Sequence, residues 1–203
     1  MAYTEERVTS IRKWSNKTFS FTTTRPAGFE FENGEFVTLG LRQEGKLITR
    51  AYSIVSTRDE DRLEFLSIHV PDGPLTSRLA HVREGDGVWI NNKATGSLTL
   101  NHVQPGRNLY LLSTGTGLAP FLSLIRDPET YRRFDKVILV HTVRTREELA
   151  YQEQIEAMTG ERLFYVPTVT RERLATTGEF TERGTELFYS GALFSRLGLP
   201  PAD

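Results

Sequence analysis

The stretch Asn108-Leu109-Tyr110-Leu111-Leu112-Ser113-Thr114-Gly115-Thr116-Gly117-Leu118-Ala119-Pro120 decides how the chain folds. Its first half is a near-continuous apolar run, the pattern of a parallel strand covered on both faces. Two glycines follow, and then a helix begins, because Leu118, Phe121, Leu122 and Ile125 recur at i, i+3, i+4 and i+7. Glycines in such a strand-to-helix turn let the backbone approach an anion closely, and the free amides of a helix start favour negative charge. Pro120 suits the first turn of that helix but stands where the full Gly-x-Gly-x-x-Gly pattern has its third glycine. A tight turn without a ligand is therefore the alternative reading.

Toward the C-terminus the same grammar repeats. Residues 136–143 and 162–169 are further apolar strands, and residues 147–158 carry Tyr151, Ile155 and Met158 on one helical face. The resulting β-α-β-α-β order predicts a doubly wound parallel sheet, half of a nucleotide-binding fold. His141-Thr142-Val143-Arg144-Thr145-Arg146 ends the second strand, where the adenosine ribose lies in such folds. An acid there suits a free 2′-hydroxyl. Arg144 and Arg146 suit a 2′-phosphate instead, hence NADP rather than NAD. Arg171, Arg173 and Arg183 follow the third strand and can converge on the same phosphate. The alternative is a solvated charged face, since Glu147, Glu148, Glu172 and Glu182 are interleaved with these arginines.

Toward the N-terminus the pattern changes near Gln104-Pro105-Gly106, which places a domain of residues 1–105 before one of residues 106–203. The first reads as short β runs at 7–13, 18–24, 35–42, 47–57, 62–70 and 87–91, broken by Gly, Pro, Asn and Asp. Phe19-Ser20-Phe21 and Leu63-Glu64-Phe65 alternate, so one face packs inward, as in an antiparallel β-barrel. One short helix is inserted at 75–82, with Leu75, Leu79 and Val82 at helical spacing after the turn Pro71-Asp72-Gly73-Pro74. In the fourth β run, Arg50-Ala51-Tyr52-Ser53 offers a guanidinium, an aromatic ring and a hydroxyl in succession. Such a set can hold a pyrophosphate, flank a flat ring system and hydrogen-bond its edge, as a flavin clamp does. Thr76 and Ser77 open the inserted helix and can meet the same pyrophosphate. An ordinary barrel strand and an ordinary Asp-Gly turn are the alternatives.

Composition narrows the chemistry. The 203 residues contain no cysteine, which excludes disulfides, thiolate metal sites, thiolate-ligated iron–sulfur clusters and a cysteine nucleophile within this sequence. A redox centre here is therefore a bound organic cofactor. The formal net charge of −1 gives no drive toward nucleic acid. No apolar run approaches the roughly 20 residues of a membrane span, and Met1-Ala2-Tyr3-Thr4-Glu5-Glu6 lacks the basic and then apolar character of a secretory signal, so a cytoplasmic protein off the membrane is expected. The four histidines show no metal-ligand spacing, and no Gly-x-Ser-x-Gly elbow nominates a serine nucleophile.

With these segments in order, the chain resembles the bacterial ferredoxin (flavodoxin)–NADP⁺ reductases of the plant-type ferredoxin reductase superfamily. The likeness runs from about Val8 to Pro200 through Phe31-Glu32-Asn33-Gly34-Glu35-Phe36-Val37, Arg50-Ala51-Tyr52-Ser53-Ile54, residues 71–79, Gly115 to Pro120 and Thr170-Arg171-Glu172. It implies an FAD-binding antiparallel barrel followed by an NADP-binding α/β domain, and it assigns roles. Arg50 contacts the FAD pyrophosphate, beside Ala51. Tyr52 lies against the isoalloxazine and ribityl region, and the Ser53 hydroxyl sits near flavin N5, the hydride acceptor and catalytic point. Leu66, where close relatives usually carry an aromatic, lines the flavin with Ile68, His69 and Val70. Pro74, Leu75, Thr76 and Ser77 hold the phosphates. Gly115, Thr116, Gly117 and Pro120 bracket the nicotinamide and its pyrophosphate, and Arg144, Arg171 and Arg183 bind the 2′-phosphate. Glu179 follows Gly178 where many relatives have arginine. The family also carries a further parallel strand, a Gly-Ser nicotinamide motif and a flavin-shielding C-terminal segment beyond the position of Asp203, so the sheet is expected to lack its last strands and tail. A monomer with a transient ferredoxin or flavodoxin partner follows from the resemblance. Its rivals are the reductase component of an oxygenase, which commonly carries a fused iron–sulfur module, and a non-catalytic FAD electron-transfer subunit.

Overall fold

A computed structural model of the chain describes residues 2–172 and 181–198, leaving Arg173 and Glu179 outside the described residues. Among them, the alternating N-terminal runs form six strands: β1 (Tyr3–Lys13), β2 (Thr18–Thr24), β3 (Phe36–Gln43), β4 (Lys46–Ser53), β5 (Arg62–Ile68) and β6 (Gly87–Asn91). They pair antiparallel in the order β4-β3-β6-β1-β2-β5. The two edges then meet. Ile54, just past β4, bridges Phe65 of β5, and the Val55 N–H donates to the Glu64 carbonyl at 2.8 Å. That closure makes the sheet a barrel and removes its open edges. Its interior is apolar, with Phe21, Leu39, Tyr52, Ile54, Phe65 and Ile90 all buried. Gly40 permits the β3–β4 approach, because a Cβ there would collide with the Ile48 carbonyl.

The inserted helix is shorter than the sequence pattern predicts. α1 spans Thr76–Leu79, and after it His81 and Val82 turn back to Arg78 and Leu79 through i to i−3 bonds. Those tight bonds end the α-helix while Leu75 and Leu79 remain buried as expected.

The C-terminal strands β7 (Asn108–Thr114), β8 (Lys136–Val143) and β9 (Leu163–Val169) form a parallel sheet in that order. A single 3-10 turn, Gly115–Leu118, leads from β7 into α2 (Ala119–Arg126), and α3 (Pro128–Arg133), α4 (Gln152–Met158), α5 (Gly184–Tyr189) and α6 (Ala192–Leu197) follow. The helix expected over 147–158 is broken in two: Arg146–Glu148 is a 3-10 turn, and α4 begins only at Gln152. Tyr151 causes the break. It takes a left-handed φ of +62° and buries its ring completely, which a continuous helix would not allow at that point. Of the expected stripe, Ile155 faces the core and Met158 is exposed.

The chain divides into two compact units, and sequence order does not separate them. The first holds residues 1–103 together with 119–127, and the second holds 104–118 and 128–203. Thus α2, which the apolar pattern assigns to the nucleotide half, belongs with the barrel. Its polar groups explain why. Ser123 Oγ–H donates to the Ser56 carbonyl at 2.9 Å, and Arg126 reaches Glu64 at 3.1 Å and the Val55 carbonyl at 3.4 Å. Just past the helix, Asp127 accepts from Asn33 Nδ2–H at 2.7 Å, while Asn33 Oδ1 accepts the Arg58 N–H at 2.7 Å. No helix among the described residues is long and apolar enough to cross a membrane.

Candidate functional site

In the first unit, β4 presents Arg50 and Tyr52 on one side and Ala51 and Ser53 on the other, as strand alternation requires. The Arg50 guanidinium is exposed and, among the described residues, bonds only the neighbouring Thr49 carbonyl, at 3.0 Å. Tyr52 is 8% exposed, set edge-on to Phe21 and Phe65, and its hydroxyl shares a 3.0 Å hydrogen bond with Ser67. Burial pushes its pKa above 10.0, while the Ser67 bond and the positive charge of Arg50 pull the other way. The ring is thus a rigid wall of the barrel. Ser53 is half-buried, and its hydroxyl makes no hydrogen bond with any described residue.

The other barrel residues divide into those that are accessible and those that are not. Ile68 and Val70 are 42% and 40% exposed, unusual for large apolar side chains and suited to lying under a flat ring. His69 lies between them, its ring edge-on to His81 at 5.8 Å. Leu66 and Leu75 are buried. Pro74 is exposed, whereas the Thr76 and Ser77 hydroxyls bond the Val70 and Gly73 carbonyls at 3.5 and 2.6 Å, so these hydroxyls brace the turn itself.

In the second unit, the C-terminal ends of the parallel strands gather the remaining positions, the edge at which such sheets bind ligands. Gly115 adopts φ +54°, and a Cβ added at Gly115 or Gly117 would meet nothing within 4 Å, so the backbone there faces open space. Thr116 is half-buried, whereas Pro120 is buried in α2. The Arg171 N–H donates to the Arg144 carbonyl at 2.9 Å, which sets the two residues side by side past the ends of β9 and β8. Both side chains are exposed, and neither guanidinium pairs with any described residue. Glu148 and Glu172, the carboxylates that could have neutralised them, instead accept the Arg144 N–H at 3.1 Å and the Arg146 N–H at 3.2 Å. Arg183 joins this edge because the next residue, Gly184, donates its N–H to Thr142 Oγ1 of β8 at 3.1 Å.

One residue that pattern reading passed over is His141. It is 1% exposed, its Nδ1 lies 3.2 Å from the Tyr165 hydroxyl, and burial holds its pKa down to about 4 against a hydrogen bond with the Gly115 backbone. The available signal was an imidazole inside an otherwise apolar strand, whose polar atoms need partners.

Residues 6–97 match the oxidoreductase FAD-binding domain family, and residues 111–184 match the oxidoreductase NAD-binding domain family. The ferredoxin–NADP reductase of Azotobacter vinelandii is 51% identical over 209 residues, which cover 98% of this chain and 79% of that protein. The chain belongs to the ferredoxin–NADP reductases. The flavodoxin/ferredoxin–NADP reductase of Rhodobacter capsulatus is 44% identical over 98% of this chain and 76% of its own length. Among solved structures, a ferredoxin NADP⁺ reductase from Neisseria gonorrhoeae with bound FAD and NADP superimposes with a TM-score of 0.93 at 32% identity, covering 98% of this chain and 81% of that one. The antiparallel FAD-type barrel and the parallel NAD-type sheet of this reductase are therefore those the sequence implied.

Proposed function

We propose that this reductase moves electrons between NADP(H) and a ferredoxin or flavodoxin through FAD. The observation that carries the reading is the pair of exposed guanidiniums of Arg144 and Arg171, which have no side-chain partner among the described residues and whose backbones are joined by a hydrogen bond at the sheet edge. Two such groups fit a dianionic 2′-phosphate, which Arg recognises by charge-assisted, bidentate bonds. Arg183 is the third residue assigned to that phosphate.

FAD, when bound, supplies the redox chemistry, exchanging an electron pair as hydride with the nicotinamide and single electrons with the protein partner. The chain's residues bind and orient. The Arg50 guanidinium offers charge-assisted bonds to the flavin pyrophosphate, with the backbone of the braced turn at Pro74 to Ser77 as the second anion contact. The Tyr52 edge, Ile68, His69 and Val70 form the apolar bed for the ring. Ser53 has a hydroxyl left over for the N5 edge, where a fixed hydrogen bond aligns the hydride donor. Gly115, Thr116 and Gly117 give the nicotinamide pyrophosphate a backbone free of side-chain obstruction.

The same reading places the reductase in the cytoplasm as a monomer that meets its acceptor transiently. It treats residues 1–105 and 106–203 as the FAD and NADP domains in sequence order. Anaerobic rapid mixing of the purified flavoprotein with NADPH tests it: the flavin absorbance should bleach, and should do so far faster than with NADH. A spectrum that stays oxidised would assign the chain instead to a non-catalytic FAD subunit.

A further inference from the structure

The loops that follow β8 and β9 carry on the pairing of their strands. Beyond Val143 and Val169, the last paired residues, the Thr170 N–H donates to the Val143 carbonyl at 3.0 Å, and the Arg171 N–H donates to the Arg144 carbonyl at 2.9 Å. The next link is of another kind. The Glu172 carboxylate accepts the Arg146 N–H at 3.2 Å, so a side chain continues what the main chain began. From within the β8 loop, Glu148 accepts the Arg144 N–H at 3.1 Å. The Thr145 and Arg146 carbonyls are taken by the N–H groups of Glu148 and Leu149 in the 3-10 turn, each at 3.0 Å. Arg144-Thr145-Arg146 is therefore tied along its backbone, while the Arg144 guanidinium is left exposed.

A carboxylate beside a site that would take a phosphate needs a physical reason. By charge alone Glu172 opposes a dianion, although between exposed groups in salt that repulsion is small. Its hydrogen bond acts in the opposite sense. The bonds from Thr170 and Arg171 use only main chain, whereas the tie to Arg146 depends on which side chain stands at 172. A loop that is ordered before its ligand arrives loses less freedom on binding, and the difference appears as affinity. We infer that Glu172 is a positioning residue for the 2′-phosphate: by holding the Arg146 N–H it fixes the loop that carries Arg144 beside Arg171, and so strengthens the preference for NADP(H) over NAD(H). The inference rests on the proposed function, and Glu172 acts through the loop rather than on the ligand.

The test uses the flavin-loaded reductase and two variants. Glu172→Ala removes the acceptor and the charge together, and Glu172→Gln removes the charge but keeps an acceptor oxygen. Calorimetric titration with adenosine 2′-monophosphate reads the phosphate site alone, and KM values for NADPH and NADH read the preference. Glu172→Ala should bind adenosine 2′-monophosphate about three- to tenfold more weakly, the cost of ordering one or two long side chains on binding, and raise the KM for NADPH by a similar factor with that for NADH unchanged. Glu172→Gln should match the unaltered protein in all three. Unchanged binding in Glu172→Ala overturns the assignment, and so does tighter binding, which would make the carboxylate only a repelling charge. A Glu172→Gln as weak as Glu172→Ala overturns it by assigning the effect to charge, and equal rises in KM for NADPH and NADH overturn it by signalling general damage to the unit. If the unaltered protein neither binds adenosine 2′-monophosphate nor prefers NADPH, the 2′-phosphate reading itself fails and this assignment falls with it.

Discussion

Arg144 and Arg171 are exposed cations without a side-chain partner among the described residues, and two neighbouring carboxylates, Glu148 and Glu172, accept backbone amides instead. A side-chain charge kept unpaired is available to a ligand, whereas an exposed ion pair would have been worth little and would have competed. Arg144→Ala should therefore raise the KM for NADPH about 10- to 100-fold, the cost of roughly 1.5–3 kcal/mol for a hydrogen bond to a charged group, and leave the KM for NADH nearly unchanged. Equal losses with both nucleotides would remove the 2′-phosphate role. Ser53 makes a second case, because its hydroxyl has no described partner although the residue is half-buried. Ser53→Ala should retain its FAD and slow flavin reduction by NADPH about tenfold in stopped-flow traces, as one orienting hydrogen bond is lost. An unaltered rate at full FAD content would show that the hydroxyl aligns nothing.

At the scale of elements, α2 is held to the barrel by a chain of polar contacts in which Asn33 is the link. It accepts from the Arg58 N–H and donates to Asp127, and both Asn33 and Asp127 are buried. Asn33→Ala should lower stability by about 1–3 kcal/mol, because it removes one hydrogen bond from the buried Asp127 carboxylate and one from the Arg58 amide at once. A urea midpoint equal to that of the parent would mean that water replaces both contacts without loss. The elements themselves were largely legible in the sequence. Strands β2, β6 and β8 occupy the residues that alternation and apolar runs predict, because burial on one face or both leaves a period in the side chains. The attachment of α2 was not legible, since a stripe such as Leu118, Phe121, Leu122 and Ile125 says that a helix is buried but not against what. The left-handed Tyr151 escaped for a similar reason: its cost is met by one buried ring, which no periodicity records. Within the site, the residue types of Arg50 to Ser53 and of the glycine turn are what suggest a flavin and a nucleotide. The capture of the Thr76 and Ser77 hydroxyls by the carbonyls of their own turn is local geometry that the order of residues conceals.

For the molecule as a whole, the buried His141 couples folding to acid. In the native protein its pKa is held near 4, against 6.5 when exposed, so the unfolded chain takes up a proton over that interval and the folded chain does not. The stabilisation from the neutral ring is complete above about pH 6.5 and is lost as pH falls toward 4, by about 3 kcal/mol in all. His141→Gln, which cannot titrate, should flatten the decline in unfolding free energy between pH 7 and pH 5 in urea titrations; an unchanged slope would place the proton uptake elsewhere. The division into units bears on something different, the exchange of parts between reductases. The backbone leaves the barrel unit after Val103, returns to it at Ala119 and leaves again after Asp127. A chimera joined once near residue 105 therefore mates the donor's α2 with a foreign barrel, confronting Ser56, Glu64 and Asn33 with mismatched partners. Recombination among these enzymes should succeed when residues 119–127 are inherited together with the barrel, and a library of crossovers scored for soluble flavoprotein should be depleted of junctions that part them.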